Sequence, residues 1–289
     1  MKQSYFNKFA ISHCIKLLYF AVFLGAFKGY CVTSNQNFFN TEYARDIKMQ
    51  EINKTRITDT KFVNSKLNAR NVLEIPIPQQ TIKSLMKFYQ TYVEPNLKKG
   101  KYTGPLKEVN GYEFYSVSPK TWNSDIQWIS ANSRSTYDYL MPYFDDIGLG
   151  ELFMDIIDFD HQIVIYSVFF VVRSKILSPT LHVDFYPGTN VNAFTLLTPL
   201  QERNLIHLVY EDMNNTKKRY EYKKDIGIVF GENFSHSTDV SLKGDREVLF
   251  CFSFGTDNLR DWSVIKRTAA DQGTHYMHPI RGFTNITDN

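Results

Sequence analysis

The sequence predicts a mainly β fold with flanking helices: an antiparallel barrel of jelly-roll type preceded by a helical stretch. Three observations predict it. From residue 161 onward, short runs rich in Val, Ile, Phe and Tyr follow one another. Turn signals such as Pro187-Gly188, Asn214-Asn215 and Lys243-Gly244 separate them. Upstream, between residues 79 and 153, the apolar residues recur at helical spacing instead.

Taken in order, the elements begin with a targeting segment at residues 1–34. Lys2, Lys8 and Lys16 precede the apolar run LLYFAVFLGAF, and small residues follow near Cys31 to Ser34. A run of this length is short for a membrane span, which takes about 20 apolar residues. A cleaved signal is therefore favoured over an uncleaved anchor, and the expected location is the secretory pathway or an organelle lumen. Residues 35–70 are polar and aperiodic, and read as a lead-in or linker. A single domain is expected over 71–289, divided into a helical lead-in (71–160), a β-barrel core (161–256) and a C-terminal tail (257–289).

Within the lead-in, Ile82, Leu85, Met86, Tyr89 and Tyr92 predict a helix behind Thr81 as cap, ended by Pro95. GYEFYSVSP reads as a strand, and SRSTYDYLMPYFDDIGLGELF as a second helix that Pro142 kinks or restricts in its start. The strand candidates of the core are QIVIYSVFFVVRSKIL, TLHVDFY, NAFTLLTPL, NLIHLVYED, KRYEYKKDIGIVFG and REVLFCFSFG.

Composition narrows the function. A chain of 289 residues with 43% hydrophobic and 15% aromatic content can bury a sizeable core. Its 33 basic and 30 acidic residues nearly balance, and no long Lys/Arg run interleaves with aromatics, so nucleic acid is not the expected partner. Cys14 and Cys31 fall in the targeting segment, which leaves Cys251 alone as a core residue and excludes a disulfide framework.

The residues that carry chemistry start with His182 and Asp184 in SPTLHVDFYPG. Two positions apart on an extended chain, they point to one side and can grip one ion. A His-x-Asp arises readily by chance, so further ligands are needed. His236, just after a short apolar strand and its Gly231 turn, completes a set of two imidazoles and one carboxylate. Such a facial triad suits Fe(II) and leaves three coordination positions open. Ten residues beyond it stands Arg246, ahead of Val248, Phe250 and Phe252. The alternation puts its guanidinium in the apolar interior with them, where it needs a carboxylate partner.

HVD, a long interval, FSHS and then Arg246 at plus ten together resemble the Fe(II)/2-oxoglutarate-dependent dioxygenase superfamily, over roughly residues 160 to 256. The resemblance implies a double-stranded β-helix of cupin-like architecture. By it, His182, Asp184 and His236 are the iron ligands and Arg246 anchors the distal carboxylate of 2-oxoglutarate. The cosubstrates are 2-oxoglutarate and O2, with ascorbate a candidate reductant. Many members carry a polar residue nine or ten positions before the first ligand; here it is Arg173, where others often have Tyr, and it reaches either the cosubstrate or an acidic substrate. Asn192, Thr195 and Thr198 are further candidates for the cosubstrate or substrate. Val248 departs from plant-type members, which pair the anchor with Ser. The implied activity is C–H oxidation of a small, acidic or amino-acid-derived metabolite, as in natural-product tailoring. The alternatives are a secretory prolyl-type peptidyl hydroxylase and a non-oxidative cupin-like metal-binding protein.

Overall fold

The computed structural model describes residues 67–288 apart from 70, 190–191, 202–206, 243 and 245. The predicted targeting segment and most of the polar lead-in lie outside the described residues. In chain order the elements are β1 (Val72–Pro76), α1 (Gln79–Phe88), β2 (Gly104–Pro105), β3 (Phe114–Val117), β4 (Ser124–Ala131), α2 (Arg134–Leu140), α3 (Pro142–Asp146) and α4 (Leu149–Phe153). They continue with β5 (Val164–Ile176), β6 (Ala193–Pro199), β7 (Leu208–Glu211), β8 (Lys217–Tyr220), β9 (Ile226–Gly231), β10 (His236–Thr238), β11 (Glu247–Gly255), α5 (Trp262–Gln272), β12 (His275–His278) and β13 (Gly282–Asn285).

The strands pair into an antiparallel sheet of order β1-β9-β6-β11-β5-β4-β3-β2 and a smaller sheet β10-β7-β8. An isolated antiparallel bridge, His182 to His236, adds the segment around His182 to the smaller sheet beside β10. From β5 onward the chain therefore alternates between sheets: β5, the His182 segment, β6, the pair β7-β8, β9, β10, β11. This is the connectivity of an eight-stranded jelly roll, the double-stranded β-helix.

Side-chain alternation explains why β5, β6 and β11 are mostly apolar on both sides rather than alternately polar. Each is covered on both faces. The even-numbered residues Phe250 and Phe252 of β11, with Phe170 of β5 and Phe194 of β6, pack against the helical layer at Leu85, Phe88, Phe144 and Phe153. The odd-numbered Leu249 and Cys251, with Phe169 and Val171, turn the other way and meet Leu208 and Tyr210 from the smaller sheet and Phe234 just before β10. The candidate site lies between the sheets, on the odd-numbered face.

Several expectations need correcting. The first helix begins at Gln79 behind Pro78, and Thr81 is buried in its first turn instead of capping it. The second helical stretch is three short helices: Ser133 caps α2 by accepting from the Thr136 amide, Pro142 starts α3, and Gly148, at φ 77°, starts α4. Strand β4, within WNSDIQWISAN, went unrecognised; half of its side chains are polar, yet it pairs along β5. Residues 257–289 are more than a tail, since they form α5 and the hairpin β12-β13. The domain also starts before residue 71, because Leu67 and Ala69 are buried in the inter-sheet core. Among the described residues no helix is long and apolar enough to cross a membrane.

Candidate metal centre and cavity

Backbone pairing brings the two histidines together. The His182 amide donates to the His236 carbonyl at 3.0 Å and the His236 amide returns the bond at 2.9 Å. Directly opposed residues project to the same face, and the two imidazole centroids lie 4.4 Å apart. Asp184, two positions after His182, points to that side as well: its Oδ1 lies 3.5 Å from His182 Nε2 and 3.7 Å from His236 Nε2. The three ligand atoms fall within 4.8 Å of one another, and they are the one such cluster among the described residues.

The hydrogen bonds behind the rings decide which nitrogen faces the metal. His182 Nδ1 lies 3.0 Å from the Thr180 carbonyl, and His236 Nδ1 lies 3.0 Å from the Phe234 carbonyl. A carbonyl only accepts, so each ring carries its proton on Nδ1 and presents the Nε2 lone pair. The pattern matches the outer-shell support that orients metal-bound imidazoles. Burial first and the neighbouring His182 second bring the His236 pKa down to about 4, against the opposing pull of Asp184. His236 is therefore neutral, the form that ligates, at any pH near 7.

The surroundings fix this arrangement. The Thr180 amide donates to Ser237 Oγ at 2.7 Å, which ties the approach to His182 onto β10. After Asp184 the chain turns at Pro187-Gly188. Gly188 has φ 125°, a conformation other residues adopt only with strain, and its amide donates to the Glu232 carboxylate at 2.9 Å. On the far side Thr268 of α5 donates its hydroxyl to the Asp184 carbonyl at 2.8 Å. The C-terminal helix, missed in the sequence, thus supports the metal-ligand segment. It is itself fastened through Gln272 Oε1, which accepts from Ser167 and Ser253 hydroxyls.

The three candidate ligands sit at the wall of a cavity of about 540 Å³ between the sheets. That volume suits a small organic ligand. Trp122, Trp128, Phe169 and Leu249 supply apolar wall, and Lys120 and Asp271 supply charge. Trp122 stands over the metal-ligand segment, its ring centroid 4.6 Å from that of His182. Cys251 also faces the cavity, but burial pushes its thiol pKa well up, so it is a protonated wall residue.

Arg246 does not reach this cavity. It is exposed, precedes β11 and uses its carbonyl to accept from Gln201. Moreover Val248, Phe250 and Phe252 face the helices, so sharing their side would aim it away from the metal ligands. The buried cation that lines the cavity is Arg173, 1% exposed, on β5. Its Nε donates to Glu247 Oε2 at 3.2 Å, its Nη1 donates to Thr238 Oγ1 at 3.2 Å, and it lies over the Tyr222 ring at 5.2 Å. Glu247 went unsuspected because 74 residues separate it from its partner.

The β6 candidates separate by parity. Thr195 faces the cavity, is 1% exposed, and its hydroxyl has no hydrogen-bond partner. A buried hydroxyl without a partner is costly, so Thr195 fits contact with a bound polar group. Thr198 lies outside the cavity wall. Asn192 is structural: its Oδ1 accepts from the Asp158 amide and its Nδ2 donates to Asp261. His275 and His278 make no metal pair. His275 Nδ1 bonds Asn132, and His278 Nδ1 accepts from the Ile280 and Arg281 amides.

No protein-family model matches the chain, and no curated protein matches it. Among solved structures it is similar to HygX from Streptomyces hygroscopicus with nickel, 2-oxoglutarate and hygromycin B bound, at 12% identity over 69% of this chain and 87% of that one, with a TM-score of 0.46. It is also similar to SnoK, a non-heme alpha ketoglutarate dependent carbocyclase from nogalamycin biosynthesis, at 7% identity over 72% and 90%, with a TM-score of 0.47. A Pseudomonas putida prolyl-4-hydroxylase matches at 13% identity over 64% and 92%, with a TM-score of 0.35. With TM-scores below 0.5 these likenesses carry no weight for function, and the site's own residues must.

Proposed function

We propose that this protein is an Fe(II)- and 2-oxoglutarate-dependent oxygenase that oxidises a C–H bond of a small molecule. The observation that carries this reading is the convergence of the His182 and His236 Nε2 atoms with Asp184 at the wall of a cavity that also holds a buried arginine. Two imidazoles and one carboxylate on one side leave the opposite coordination positions open to ligands from the cavity, as Fe(II) oxygenases need. When bound, iron of this kind couples the O2-driven decarboxylation of 2-oxoglutarate, giving succinate and CO2, to oxidation of a substrate C–H bond.

The chain's residues do the remainder. His182 and His236 hold their lone pairs in place through the Thr180 and Phe234 carbonyls. Asp184 contributes the negative charge. Arg173 offers a planar guanidinium to a carboxylate, the role the sequence had given to Arg246. Thr195 offers its hydroxyl to the same ligand. The aromatic and aliphatic walls lower the polarity around the ligand, which strengthens each of these interactions. Lys120, at the cavity wall, offers a cation to an acidic substrate. The cavity's size supports a metabolite over a peptide chain as the substrate. A buried cation lining the same cavity as the metal ligands supports an acidic cosubstrate over a cupin-like protein that binds none.

The test is anaerobic addition of Fe(II) and 2-oxoglutarate to the purified protein, followed by visible spectroscopy. The expected result is the weak charge-transfer band of the metal-bound 2-oxo acid, lost in His182→Ala. No band in the folded wild-type protein would refute the assignment. Succinate release across a metabolite panel, with ascorbate present, would then identify the substrate.

A further inference from the structure

Arg173 is the bulkiest side chain among the fully buried residues described. A guanidinium keeps its proton at any ordinary pH, so burying one demands a counter-charge. Glu247 meets that demand from the adjacent strand. The two residues are cross-strand partners in the β5-β11 ladder, and their side chains meet at 3.2 Å with 1% and 11% of their surface exposed. Arg173 lines the cavity, whereas Glu247 is not among the residues that wall it. The carboxylate therefore backs the guanidinium, and a ligand approaches the guanidinium from the cavity.

We infer that Glu247 is a positioning residue that limits the affinity of this site for a dicarboxylate cosubstrate, an inference that rests on the function proposed above. With no ligand bound, Glu247 makes a buried cation tolerable and fixes its plane through Nε, while Thr238 fixes Nη1. When the distal carboxylate of 2-oxoglutarate enters, two anions share one cation. Their mutual repulsion subtracts from the attraction that Arg173 exerts. A 2-oxo acid without a distal carboxylate does not feel that repulsion at the same place. Glu247 thus sets how strongly the site prefers the dianion over a monoanion of the same length.

Glu247→Gln tests this, because it keeps the shape and an acceptor for Nε while removing the charge. The wild-type and variant proteins, loaded with Mn(II) without O2, are titrated calorimetrically with 2-oxoglutarate and with 2-oxovalerate, which has a methyl group in place of the distal carboxylate. The variant is expected to bind 2-oxoglutarate roughly tenfold more tightly, as removal of a buried like charge near the ligand requires. Its affinity for 2-oxovalerate should stay within about twofold, since that acid lacks the charge that Glu247 repels. A purely structural role would instead weaken both acids together. Unchanged or weaker 2-oxoglutarate binding by a folded variant overturns the inference and leaves the oxygenase reading standing. Failure of the wild type to bind either acid overturns both. If Glu247→Gln unfolds by itself, 2-oxoglutarate but not 2-oxovalerate should restore its folding by supplying the missing counter-charge, and absence of that selective rescue also refutes the inference.

Discussion

The two arginines give opposite expectations for one measurement, which makes them the sharpest test of the site. Arg246 is exposed and outside the cavity. Replacing it with Ala changes a surface position, where effects stay within about 0.5 kcal/mol, so 2-oxoglutarate affinity should move by less than about threefold. Arg173 is different. Its bond to a ligand carboxylate is charge-assisted and secluded from water, worth about 1.5–3 kcal/mol, which corresponds to a loss of roughly 10- to 150-fold when it is removed. Removing Arg173 alone would also break the buried pair from one side and leave Glu247 without its guanidinium, at a stability cost of about 3–5 kcal/mol. The double substitution Arg173→Met with Glu247→Leu avoids this, because apolar replacement of a buried pair is often neutral; since it also removes the Glu247 charge, its loss of 2-oxoglutarate affinity is taken relative to Glu247→Gln. Anaerobic titration of Fe(II)-loaded protein with 2-oxoglutarate, read by the charge-transfer band, gives the dissociation constants. A loss in Arg246→Ala equal to or greater than that in the double variant would refute the assignment of Arg173.

Thr195→Val exchanges a partnerless buried hydroxyl for a methyl group of similar size, so thermal stability should hold or rise while 2-oxoglutarate affinity falls several-fold; a clear fall in Tm would show that the hydroxyl already serves the fold. Phe250→Ala empties a fully buried site on the helical side of β11 and should destabilise the protein by about 3–5 kcal/mol in denaturant titration. Metal stoichiometry of that variant, once folded, should be unchanged, and loss of metal would contradict the separation of the two faces. The metal-free protein should lose stability in acid through His236. Its folded pKa, about 4, lies below the ordinary 6.5, so the unfolded chain binds the proton first. This stability is fully present above pH 6.5 and is lost as pH falls toward 4, by roughly 3 kcal/mol in all. Chemical denaturation of the apo protein across that range measures it, and a flat profile, or one no steeper in wild type than in His236→Gln, would rule it out.

What the sequence revealed of the site was local, and what it concealed was long-range. His182 and Asp184 were legible because two residues on an extended segment share a side whatever the rest of the chain does. His236 followed because a jelly roll places a strand from the end of the core beside the first ligand. The strand pattern was equally legible where a covered strand reads as a long, mostly apolar run, as in β5 and β11. It failed at β4, whose half-polar sequence is ordered by its neighbour β5, and at α5, whose anchor Gln272 bonds to hydroxyls 19 and 105 residues away.

Arg246 shows how a correct pattern can place a residue on the wrong side. Counting ten positions from His236 locates a basic residue near the start of a strand, but the cavity side of that strand is set by its register. Glu247 sits opposite Arg173, Leu249 opposite Val171 and Cys251 opposite Phe169, so the cavity takes the odd-numbered residues. A shift of one residue exchanges the two faces. At the start of β11 that one position separates an exposed arginine from a buried glutamate, and the buried cation reaches the cavity from β5 instead. The β5-β11 ladder sets Arg173 opposite Glu247, so each buried charge meets an opposite one across the strands. The charge character of the cavity is consequently a property of the strand pairing, which neither motif contains.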